Sequence, residues 1–111
     1  MTHALRAFEQ RGEAFERQFA HAEELTFRAR ARASHAFGLW AAHCMRLNAD
    51  AAETYAAMLR AREIETGSLD PVFNKVRADF LASNLPYSET WLRRRLAETL
   101  AQAETTTQAN G

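Results

Sequence analysis

Apolar residues return every three or four positions along almost the whole chain, and nowhere do β-branched residues alternate as a half-buried strand requires. That restricts the fold to helices packed on helices. The first run is Phe8, Phe15 and Phe19, spaced by seven and four and separated almost wholly by Glu, Arg, Gln and Ala. At about 100° per residue the three rings share one narrow stripe of an amphipathic helix. A second run, Phe37, Trp40, Ala41, Cys44, Met45 and Leu47, ends at Asn48, a residue suited to stopping one helix and capping the next. Ala51, Tyr55, Met58 and Leu59 predict a second amphipathic helix that stops near Thr66-Gly67. Asp70-Pro71 reads as an N-cap carboxylate followed by proline at the first helical position. Val72, Phe73, Val76 and Phe80 then form a buried face, with Lys75, Arg77 and Asp79 outward and Asn84 and Pro86 marking the end. Ser88 caps a last helix carrying Leu92, Leu96, Thr99 and Leu100 on one side.

A chain of 111 residues with 47% hydrophobic and 25% charged residues supports one small domain with one modest core. The expected fold is all-α: a small four-helix bundle of antiparallel neighbours, with a long first helix and a mobile N-terminal arm. Residues 1–22 would form the arm, 23–104 the bundle and 105–111 a disordered polar tail. Phe37, Trp40, Tyr55, Leu59, Phe73, Val76, Phe80, Leu92 and Leu96 are the expected core. Between the early phenylalanines and this core lie Arg28, Arg30 and Arg32 alternating with Ala29, Ala31 and Ala33. This gap suggests two functional halves on one helix. Short isolated helices are marginal in water, so the free arm is expected to be partly disordered.

Several classes of function are disfavoured. Zero formal charge and a pI near 6.9 argue against a phosphate-backbone binder. Helix three, the turn after it and Arg93-Arg94-Arg95 bear a superficial likeness to a helix-turn-helix, but three consecutive arginines point in three directions around a helix. No nucleic-acid partner is expected. His3, His21, His35 and His43 lack the spacing of three or four that a helical metal site needs. Gly12, Gly38, Gly67 and Gly111 are isolated, so no glycine-rich loop cradles a phosphate. No nucleophile, base and oxyanion site converge, and neither an enzyme nor a cofactor is expected. The single cysteine, Cys44, shares a face with Phe37 and Trp40 and reads as a buried, inert thiol. No apolar run approaches the roughly 18 residues that span a bilayer, and Met1 to Arg11 carries charges where a signal peptide needs an apolar run. A cytoplasmic protein without direct membrane insertion is the expectation.

The run Ala14-Phe15-Glu16-Arg17-Gln18-Phe19-Ala20-His21-Ala22-Glu23-Glu24, then Phe27-Arg28-Ala29 and Phe37-Gly38-Leu39-Trp40-Ala41-Ala42, resembles the zeta-subunit family of F-type ATP synthase inhibitors of alphaproteobacteria. Glu53, Tyr55-Ala56, Asp70, Val72-Phe73, Lys75-Val76-Arg77, Asp79-Phe80 and Arg94-Arg95-Leu96 continue the resemblance in the same order, over roughly residues 8 to 100. It implies a four-helix bundle preceded by a mobile arm. It also implies a regulatory inhibitor whose N-terminal segment enters a catalytic interface of the synthase head, made of alpha, beta and gamma subunits, and stops hydrolytic rotation. The protein would then associate peripherally with the inner membrane through the synthase. Phe8, Glu9, Arg11, Glu13, Phe15, Glu16, Arg17 and Phe19 would be the partner-binding residues.

Magnitudes constrain this reading. Full burial of each phenylalanine contributes about 2 kcal/mol, whereas ordering such a segment costs roughly 2–5 and association at least about 4 more. The stripe alone is insufficient, so Glu9, Arg11, Glu13, Glu16 and Arg17 must find charged partners and the bundle must supply further contact. Glu13 with Arg17 and Glu24 with Arg28 are spaced by four and read mainly as pairs that stabilise the helix itself. Gly12, Gln18 and Ala22 depart from the family pattern inside the arm, as do Ala33-Ser34-His35 further on. Two alternatives follow. The stripe folds back onto the bundle as core, or the chain is a divergent paralogue with weak or no inhibition, a helical bundle that binds another protein or a small molecule, nucleotides included.

Overall fold

The computed structural model describes the backbone from Thr2 to Asn110 and the side chains from Glu9 to Asn110. Four helices account for nearly all of it: α1 (Thr2–Cys44), α2 (Ala49–Thr66), α3 (Asp70–Ala82) and α4 (Glu89–Asn110). Helix α1 packs antiparallel against both α2 and α4, while the shorter α3 closes the bundle where Phe37 and Trp40 lie. A helix of this length rises about 1.5 Å per residue, and the molecule accordingly measures 71 × 28 × 24 Å.

Helix ends follow local chemistry. Asn48 Oδ1 accepts the Ala51 N–H at 2.8 Å, and Ser88 Oγ accepts the Trp91 N–H at 3.0 Å, so both expected caps form. Gly67 takes a left-handed φ of 68° and donates its N–H to the Glu63 carbonyl at 2.7 Å, which closes α2. Asn84, at φ 56°, turns the chain after α3. Two boundaries differ from expectation. Helix α1 stops at Cys44 rather than running to Asn48, because Arg46 turns left-handed at φ 62° and the Leu47 N–H reaches back to the Ala42 carbonyl at 3.0 Å. At α3 the cap is not Asp70: Ser68 Oγ accepts the Asp70 N–H at 3.1 Å, and Asp70 lies inside the first turn, where its charge suits the positive end of the helix dipole.

Phe37, Leu59, Phe73, Val76, Phe80 and Leu92 are buried as expected, with Val72 and Ala41 beside them. Trp40, Tyr55 and Leu96 are only partly buried and pack on that cluster's edge. Trp40 nevertheless organises it, with ring centroids 5.5 Å from Phe37, 5.7 Å from Phe80 and 5.5 Å from Trp91.

Two sequence expectations fail at the other end of the bundle. The Ala29, Ala31, Ala33 stretch is not a gap between halves, for these residues are 2%, 6% and 0% exposed. Small side chains let α1 sit close to its neighbours, while Arg30 reaches Glu63 on α2 at 3.1 Å and Arg32 reaches Thr107 on α4 at 3.3 Å. Nor are residues 105–110 a disordered tail. Helix α4 continues through Asn110 because Ala103 and Thr107 are buried against α1, an apolar and hydrogen-bonded anchorage that a threonine-rich composition conceals. Gly111 lies outside the described residues.

Candidate functional site

Past the ends of α2 and α4, α1 continues towards its N-terminus without cover. Every residue from Glu9 to Glu24 is exposed. Phe15 is 70% and Phe19 57% exposed, so neither ring folds back onto the bundle core. Large apolar side chains standing in water are the observation that marks this segment. The side chain of Phe8, expected to extend the stripe, lies outside the described residues.

Glu9, Arg11, Glu13, Glu16 and Arg17 surround the stripe and are all exposed. The expected Glu13–Arg17 pair takes another form: Arg17 Nε donates to the Glu13 backbone carbonyl at 3.4 Å. Glu24 and Arg28 do pair side chain to side chain, at 2.6 Å. Among the described residues Gly12 has no neighbour that an added methyl would meet within 4 Å.

The base of this segment escaped the sequence reading. One groove of about 370 Å³ runs between α1 and α4, and another of about 740 Å³ runs along α1 towards Phe19. Ala22, Thr26 and Arg30 belong to both. Arg30 is held from behind by Glu63, a carboxylate with 0% exposure whose Oε2 finds no hydrogen-bond partner among the described residues. Only the spacing of Thr26 and Arg30, four apart and in step with Phe15 and Phe19, hinted at this in the sequence.

Elsewhere the polar groups serve packing. Arg93 stacks over the Phe73 ring at 4.2 Å and bonds Glu89 at 3.3 Å, while Arg95 stacks over Trp40 at 4.9 Å. The arginine triplet therefore splits among different tasks. Cys44 is half-buried, and burial raises its pKa against a smaller opposing effect of Arg95, which keeps the thiol protonated. Tyr55 donates to Asp79 Oδ2 at 2.7 Å, with Lys75 on the other oxygen at 2.9 Å. Among the described residues no group of three or more His, Cys, Asp or Glu could hold a metal ion, and no helix is long and apolar enough to cross a membrane.

A comparison of the chain with known families finds a match. A family described as ATPase inhibitor subunit zeta matches residues 5–106. No curated protein and no solved structure gives a match. The match takes in the extension, the bundle and most of α4 together, and the chain belongs to the ATPase inhibitor subunit zeta family.

Proposed function

We propose that this chain blocks ATP hydrolysis by the F-type ATP synthase head, inserting the N-terminal segment of α1 at a catalytic interface formed with the alpha, beta and gamma subunits. One observation carries the reading: Phe15 and Phe19 are large, solvent-exposed rings on a segment that the bundle leaves uncovered. Family membership names the target as an ATPase. Burial of the two rings contributes about 2 kcal/mol each, and the exposed charges of Glu9, Arg11, Glu13, Glu16 and Arg17 provide further pairing to a charged cleft. The protein acts as a regulator and sits at the inner membrane only through the synthase.

ATP hydrolysis by the cognate synthase head, measured with added full-length protein and with a version lacking residues 1–19, tests this. Full-length protein is expected to lower the rate and the truncated version to leave it unchanged. Equal rates with both would sink the proposal.

A further inference from the structure

With each residue advancing about 100°, Phe15, Phe19, Ala22, Thr26, Ala29, Ala33 and Phe37 fall within an arc of about 80° around α1. Ala29, Ala33 and Phe37 are the part of that arc buried in the bundle, and Phe15 and Phe19 are the part left bare. A single apolar face thus passes from the bundle interior out along the extension. Where it emerges, the core has an open end. Ala22, Thr26 and Arg30 form its floor, and Leu100, Glu104 and Gln108 of α4 form a wall.

We infer that this open end is a second contact surface for the ATPase, continuous with the phenylalanine stripe. An element lying on Phe15 and Phe19 is aimed along α1 at the open end, so it meets the last turn of α4. The inference rests on the reading of the extension as the inhibitory segment. The occupant is an amphipathic segment of the ATPase head with an apolar ridge that ends in neutral carbonyl oxygens. Two features set that chemistry. Ala22, Leu25, Ala29 and Leu100 supply apolar surface in this groove. Arg30 has only its Nε engaged, by Glu63 at 3.1 Å, among the described residues. Its outer N–H groups remain donors at the rim of both grooves, and they call for acceptors. Glu63 already balances the charge, so a neutral carbonyl suffices.

The test fills the open end without touching the phenylalanines. Thr26→Trp and Gln108→Trp place a large ring there from α1 and from α4, at two positions that are exposed in the free protein. Both are expected to raise the concentration for half-inhibition of ATP hydrolysis by about tenfold, with an unchanged melting temperature. A photoreactive side chain at Gln108 is expected to cross-link to the purified synthase head, as one at Phe15 should. If the filled variants inhibit like the unmodified protein and only the Phe15 probe cross-links, the second surface is refuted and the inhibitory segment stands. If the unmodified protein itself fails to inhibit, both readings fall.

Discussion

Gly38 of α1 passes so close to α2 that a methyl group on it would lie 2.8 Å from the Ala56 Cα. Leu59 Cδ1 would be 3.1 Å away, so the added atom meets backbone on one side and a buried side chain on the other. Alanine would gain about 1 kcal/mol of helix propensity, but overpacking a close helix contact costs about 1–3 kcal/mol. Gly38→Ala is therefore expected to lower the melting temperature. An equal or higher melting temperature would mean that α1 and α2 separate more easily than this contact implies.

Arg30 and Glu63 offer a second test of how the bundle is held. Glu63 is fully buried and Arg30 is its partner, so Arg30→Met strands a carboxylate that already has one unpartnered oxygen. Breaking such a pair costs about 3 kcal/mol, at the low end of the usual range because Arg30 is itself partly exposed. Adding Glu63→Leu removes the stranded charge and is expected to restore most of that stability. Denaturant unfolding of the single and double variants decides it, and a double variant as weak as Arg30→Met would contradict the role assigned to the charge.

The sequence revealed much of what depends on neighbours in the chain. Asn48, Gly67 and Ser88 were legible because a cap is decided within a few residues, and so was the Phe15 and Phe19 stripe, because periodicity needs only spacing. Ala29, Ala31 and Ala33 were misread because arginines alternate with them, and only α2 and α4 arriving from far along the chain show which side chains are covered. Thr107 was missed for the same reason, its partner Arg32 being 75 residues away. At α3 the expected cap fails because Leu69 holds the cap position without a side-chain hydrogen bond, while Ser68 two residues before Asp70 takes the Asp70 N–H. The open end beside Arg30 joins α1 to α4, and the spacing of Thr26 and Arg30 announces only its α1 side.

Tyr55 gives the fold a measurable response to alkali. Burial, then its hydrogen bond to Asp79 and the charge of that carboxylate, raise its pKa well above the ordinary 10.0. A raised pKa in the folded state stabilises the protein at every pH below 10, and this contribution is lost progressively as the pH climbs above it. Tyr55→Phe should cost about 1.5 kcal/mol at neutral pH, the value of a hydrogen bond to a charged acceptor. Above pH 10 its stability should fall less steeply than that of the unmodified protein. Parallel slopes between pH 10 and 12 would show that Tyr55 ionises freely.

Gly12 interrupts the exposed segment with the residue least suited to a helix interior apart from proline. Among the described residues an added methyl meets nothing within 4 Å, so Gly12→Ala should stabilise the helix locally by about 1 kcal/mol. Amide hydrogen exchange around residue 12 is expected to slow. Because the segment is already helical in the free protein, binding as that same helix should leave the concentration for half-inhibition unchanged. Weaker inhibition by Gly12→Ala would show that the bound segment bends there.

Phe15 and Phe19 separate binding from folding. Both rings are more than half exposed and lie where the other helices do not reach, so their removal deletes no core contact. The double variant Phe15→Ala, Phe19→Ala should therefore unfold within about 0.5 kcal/mol of the unmodified protein. Inhibition should respond very differently. Two rings that become fully buried on the ATPase contribute about 4 kcal/mol together, which corresponds to a loss of affinity of up to about a thousandfold. Titration of ATP hydrolysis with the double variant, beside its thermal unfolding, measures both. Unchanged inhibition would leave the rings without a partner, and a large fall in melting temperature would place them in a core that the extended α1 does not provide.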